Sequence, residues 1–140
     1  MLAVVALATA YLIFVRFRPA DQSADRASVT RQPLPAEVEV DVAYIMYNHD
    51  AIFLDVRPEG AYRMGSIPNS INIPLDELAE RLDEVPTVGD IVVVDETGVD
   101  AARGRDILIA AGFQRVTALK GGLEVWILER GYPFYGVFPR

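Results

Sequence analysis

The chain has 140 residues, half of them apolar, which suits one domain with a proper core. It has no cysteine, so disulfides, zinc–thiolate sites and thiol catalysis are excluded, while the redox compartment stays open. A net charge of -7 argues against nucleic-acid binding, which depends on neutralising phosphates with Lys and Arg.

Met1 to Val15 carries no charged side chain, and Arg16 and Arg18 close the run. As a helix it would reach about 22 Å, short of the roughly 30 Å hydrocarbon core. Adding Phe17 and letting the arginines snorkel to the headgroups narrows that gap. Residues 1–18 therefore read as a single-pass transmembrane or signal-anchor segment. A cleaved signal peptide with Ala8-Thr9-Ala10 as its cleavage site fits less well, because no basic residue precedes the run and Tyr11 to Val15 stays apolar. An internal packing helix is the third reading. The basic residues after the run favour a cytoplasmic domain. Residues 19–36 are rich in Ala, Ser, Asp, Gln, Arg and Pro without apolar periodicity, and read as a flexible tether ending in Pro33-Leu34-Pro35.

Beyond the tether, apolar runs alternate with amphipathic stretches. Val38 to Val40 reads as an edge strand, and Asp41 as the cap of a helix from Val42 to Tyr47. Ala51 to Val56 is a nearly continuous apolar run, which predicts a strand buried on both faces. Pro58 to Met64 makes one or two helical turns, and Ser70 to Ile73 is a short strand ended by Pro74. Leu75, Leu78 and Leu82 share one side of a helix predicted over 75–82. Ile91 to Val94 is the most apolar strand and should be central. A helix over 101–111 stops at Gly112, Val116 to Leu119 is the last strand, and the last helix spans 123–128 around Trp126, a core residue. Strands separated by helices give an α/β fold, a parallel β-sheet covered by helices on both faces, with ligand sites at the carboxyl ends of the strands. The expected domain covers residues 37–135, and 136–140 form a C-terminal tail.

Several residue groups have plain structural readings. Asp55 and Arg57 flank the end of a buried strand and suit loop packing and hydrogen bonding more than substrate binding. His49 belongs to the turn Asn48-His49-Asp50. Gly121-Gly122 permits a tight strand-to-helix turn. The aromatic tail Tyr132 to Phe138 is expected to pack over the last helix, with partner or membrane-interface contact as the alternative.

The order of these elements and their motifs resembles the rhodanese-like family. Asp55-Val56-Arg57 with Glu59 and Tyr62 is similar to the stretch after that family's second strand. Gly65 to Pro74 resembles its "GHIPGAINIP" segment, with Ser66 in place of histidine. Ala111-Gly112-Phe113, Gly121-Gly122, Trp126 and Gly131-Tyr132-Pro133 resemble its C-terminal signature. The six residues Asp95, Glu96, Thr97, Gly98, Val99 and Asp100 have the length of the family's active loop. That loop opens on a nucleophilic cysteine, and here Asp95 holds the position.

The resemblance implies a cradle of loop amides and a helix N-terminus around one anionic sulfur. Basic side chains commonly stand at the loop's second and sixth positions, and here these are Glu96 and Asp100. An Asp95 carboxylate would take the same donors, fill the cradle from within, and leave a rim that repels anions. Asp55, Arg57, Arg103, Gly121 and Gly122 would surround the loop. The expectation is a catalytically inactive, membrane-anchored interaction or regulatory module, with no cofactor, no resident metal and an unidentified protein partner. Two alternatives stand beside it. One is a non-thiol enzyme or Mg²⁺- or Ca²⁺-binding domain using Asp95, Glu96 and Asp100, since carboxylates suit hard cations. The other is an accessory subunit of a sulfur-transfer complex whose cysteine lies on a partner.

Overall fold

A computed structural model describes residues 32–137. The expected membrane segment and most of the tether lie outside the described residues, as do the last three residues of the tail.

Five short strands form a parallel sheet. They are β1 (Glu37–Val38), β2 (Ile52–Asp55), β4 (Ile71–Asn72), β5 (Ile91–Val94) and β6 (Val116–Leu119), in the order β1-β6-β5-β2-β4. The most apolar strand, β5, is central, paired with β2 through Ile52↔Ile91 to Asp55↔Val94 and with β6 through Ile91↔Val116 to Val93↔Ala118. A separate antiparallel ribbon joins β3 (Gly65–Ser66) to β7 (Tyr135–Gly136).

Alternation along β5 separates two cores. Ile91 and Val93 join Leu54, Val56, Ile73, Leu78 and Leu108 on one face. Val92 and Val94 join Phe53, Leu119, Leu123 and Trp126 on the other. The first face is covered by helix α3 (Val99–Ala110), the second by α1 (Val40–Tyr47) and by the short α4 (Gly122–Glu124), which continues as a π-helical stretch over Val125–Glu129. Helix α2 (Glu59–Met64) links β2 to the ribbon. The buried Trp126 is the hub of an aromatic cluster. Its ring meets Phe53 at 5.4 Å and Tyr132 at 5.2 Å, and its indole N–H donates to the Pro133 carbonyl at 2.9 Å.

Three local expectations are corrected. Asp41 does not cap α1. The helix begins at Val40 with Glu39 as N-cap, and Asp41, inside the first turn, instead accepts from the Tyr132 hydroxyl at 2.5 Å and from Arg130 at 3.1 Å. The helix over 75–82 is replaced by two 3₁₀ turns, Leu78–Glu80 and Leu82–Glu84. Leucines three and four apart fit such turns as well as an α-helix, and Leu78 still reaches the core. Finally, β6 is not the last strand, because the tail returns as β7 to pair with β3. The tail itself divides: Tyr132 and Phe134 pack against the Trp126 core, whereas Tyr135 and Val137 are exposed.

Candidate functional site

Strand β5 ends at Val94, and the chain turns through Asp95 to Gly98 into α3. This is a carboxyl-end loop of a central parallel strand, where an open α/β sheet presents its ligand sites. Asp95 is only 4% exposed. Its Oδ1 accepts the Gly98 N–H at 2.6 Å and its Oδ2 accepts the Asp100 N–H at 3.0 Å. The two free amides at the start of α3 are thus turned onto one internal carboxylate, which also sits at the positive end of the helix dipole.

Glycine makes this turn possible at two points. Gly98 has φ +95°, and a Cβ there would lie 3.0 Å from the Gly121 nitrogen and 3.1 Å from the Leu119 oxygen. Gly122 has φ +60°, and a Cβ there would come within 2.5 Å of the Glu96 carbonyl. The loop backbone and the β6–α4 turn therefore meet with no room for side chains between them. Hydrogen bonds fix that approach: the Leu123 N–H donates to the Asp95 carbonyl at 2.8 Å and the Glu124 N–H to the Glu96 carbonyl at 3.1 Å.

The remaining loop residues face outward. Glu96, Thr97 and Val99 are exposed. The Asp100 carboxylate accepts from Arg103 at 3.2 Å, with Asp100 about half exposed and Arg103 more so. Asp95, Glu96 and Asp100 do not converge on a common point: both Asp95 oxygens already accept backbone N–H groups, and among the described residues no three His, Asp or Glu side chains are placed to hold a metal ion.

Asp55 and Arg57 lie one strand away, at the end of β2 and beside Val94. Asp55 is fully buried and Arg57 nearly so. The Arg57 side chain donates to both Asp55 oxygens, at 2.7 Å from its terminal nitrogen, and onward to the Gly65 carbonyl at 2.7 Å. The pair closes on itself and on the ribbon, and so holds the β2 loop. Sequence reading missed Asn72, whose amide donates to the Asp55 and Arg57 carbonyls at 2.9 Å each and so pins the same loop. Its signal was a polar residue inside the apolar run Ile71 to Ile73.

The sequence model of the family described as "Rhodanese-like domain" matches residues 40–129. The chain belongs to the rhodanese-like domain family. Similar proteins include the adenylyltransferase and sulfurtransferase UBA4 of Meyerozyma guilliermondii, 32% identical over 98 residues that cover 63% of this chain and 23% of that protein. The chain thus spans less than a quarter of that relative's length. A sulfurtransferase of Allochromatium vinosum is 27% identical over 77 residues, covering 55% of this chain and 72% of the relative. Among solved structures, the crystal structure of a rhodanese-related protein from Thermoplasma volcanium superposes with a TM-score of 0.65 at 29% identity, covering 71% of this rhodanese-like chain and 97% of that one.

Proposed function

We propose that this chain is a membrane-anchored rhodanese-like module that binds or regulates a protein partner and does not transfer sulfur. The reading is carried by Asp95, a buried carboxylate that accepts the two amides at the mouth of the loop. On the resemblance, this is where the family holds its sulfur nucleophile, and the 140 residues contain no cysteine to replace it. The two N–H donors that Asp95 takes are no longer available to thiosulfate or a persulfide. Glu96 and the Asp100–Arg103 pair at the rim give an incoming anion no net attraction. Like charges at about 4 Å in water repel by about 1 kcal/mol.

The test is direct. The purified chain is incubated with thiosulfate and cyanide, thiocyanate is measured, and persulfide is sought by mass spectrometry. No turnover above the buffer blank is expected, and turnover above it would overturn the proposal. Anchoring by residues 1–18 is tested separately by alkaline extraction of membranes. The whole chain should remain with the bilayer, and a chain lacking those residues should be released. Among the described residues no helix is long and apolar enough to cross a membrane.

A second reading, an accessory subunit of a sulfur-transfer complex, draws on relatives whose names include sulfurtransferase. Its mark would be stimulation of a cysteine-bearing partner's sulfur transfer by this chain in trans.

A further inference from the structure

At the amino ends of β2 and β4, away from the Asp95 loop, lies a cleft of about 410 Å³. That volume suits a small organic molecule. Its lining mixes apolar residues (Ala51, Ile52, Phe53, Pro68 and Ile71) with three polar ones, Tyr47, Asp50 and Asn69. None of the three makes a side-chain hydrogen bond or ion pair with another described residue. This contrasts with the Asp95 loop, where the buried carboxylate is already satisfied.

The backbone marks the same place. Asp50 (φ +61°) and Asn69 (φ +62°) are the two non-glycine residues in the left-handed region among the described residues, and both line this cleft. They come from separate segments, one following α1 and the other preceding β4. Asp and Asn enter this region more readily than other non-glycine residues, so both positions are turns, and the two turns bring their exposed side chains to one cleft. Asn or Gly would serve the turn at 50 equally well, so turn geometry alone does not call for a charge there. Burial, followed by the neighbouring Tyr135 and Tyr44, raises the Tyr47 phenol above its ordinary 10.0. It therefore remains a neutral hydrogen-bonding group at physiological pH. An exposed carboxylate, two neutral polar groups and apolar neighbours suit a cation carried on an apolar stem.

We propose that this cleft binds a small organic cation, an ammonium or guanidinium group carried on an apolar stem. The cation pairs with Asp50 and donates hydrogen bonds to the Asn69 and Tyr47 oxygens, while the stem lies along Ile52 and Ile71. The net charge of the segment from Glu37 onward, with nine basic against eighteen acidic residues, works in the same direction and disfavours anionic ligands. This proposal is independent of whether the Asp95 loop is inert.

The test is an amide NMR titration of the whole chain in uncharged detergent with n-butylguanidinium, and in parallel with the neutral analogue 1-pentanol. Saturable shifts confined to residues 47–53 and 69–71 are expected for the cation. The alcohol and the Asp50→Asn variant should each bind about three- to fivefold more weakly, as loss of a solvent-exposed ion pair predicts. Asparagine accepts the left-handed backbone at 50, so this variant keeps the fold. Shifts elsewhere, no saturation at tens of millimolar cation, or undiminished affinity in Asp50→Asn would each overturn the proposal.

Discussion

Replacing Asp95 with alanine removes the only side chain on which the Gly98 and Asp100 amides close. Hydrogen bonds to a charged acceptor contribute about 1.5–3 kcal/mol each, so two of them set an upper bound near 6 kcal/mol. Two effects reduce it. Gly98 and Asp100 are only half-buried, so water can reach the freed amides. Truncation also relieves the cost of holding a charge that is 4% exposed. We therefore expect a loss of about 2–3 kcal/mol. Trp126, the single tryptophan, is fully buried and reports unfolding of the core. Urea unfolding of Asp95→Ala, followed by its fluorescence, should give a lower midpoint with an unchanged slope. Hydrogen exchange should localise the effect, with faster exchange at Gly98 and Asp100 and little change at the β5 amides. If stability falls by less than 0.5 kcal/mol (about a twofold change in the folding constant) and both amides stay protected, the carboxylate is not what organises this loop.

Three further outcomes are expected. Arg57→Leu should cost about 3–5 kcal/mol by equilibrium unfolding, because it strands the fully buried Asp55 carboxylate and frees the Gly65 carbonyl. Gly122→Ala should be far more damaging than Gly131→Ala in thermal melts: φ is +60° and +62° respectively, but an added Cβ meets the Glu96 backbone at 2.5 Å in the first and nothing within 4 Å in the second, leaving only the conformational cost of about 1 kcal/mol at 131. The Tyr132 phenol is held above its ordinary 10.0 chiefly by its hydrogen bond to Asp41, and that of Tyr47 chiefly by burial. Folding favours the neutral phenol in both cases, so this contribution is whole below pH 10 and is lost as pH rises through the higher folded values; Tyr132→Phe should flatten the alkaline fall in melting temperature.

Legibility in the sequence followed the range of the forces involved. Ile91 to Val94 announces a central strand because four consecutive apolar residues need burial on both faces, and the pairing with β2 and β6 supplies it. The pattern from 101 predicts α3 two residues late, because Val99 and Asp100 continue the loop in composition while the left-handed Gly98 already starts the helix. The β3–β7 ribbon was invisible: two-residue strands carry no periodicity, and their pairing depends on where the tail returns. Asp41 looked like a cap because the preceding strand was read as reaching Val40; the strand stops at Val38, and the helix takes over the next turn. At the loop, residue identity and spacing were readable, but the convergence of two amides on Asp95 required the coordinates. The Asp50–Asn69 cleft was not anticipated, for its two sides are brought together only by tertiary packing.

The proposed loss of chemistry and the retained fold have one physical origin. A strand-to-helix turn that directs the Gly98 and Asp100 amides inward needs an acceptor between them, whatever the loop is used for. In a sulfur-carrying loop, a thiolate can meet that need and react as well. An aspartate meets it with two oxygens, satisfies both amides at once, and keeps its charge internal and unreactive. On this reading Asp95 is a structural anion. A neutral, non-accepting residue at that position would disable the same chemistry but leave two donors without partners. The backbone contacts of Leu123 and Glu124 with the loop carbonyls depend on the same arrangement. Holding the loop shut therefore also holds the β6–α4 turn, which ends in the Trp126 core. A partner that binds the outer surface of this loop, at Glu96, Thr97 and Val99, would then meet a rigid, acidic-edged platform whose shape does not change with the redox state of any sulfur.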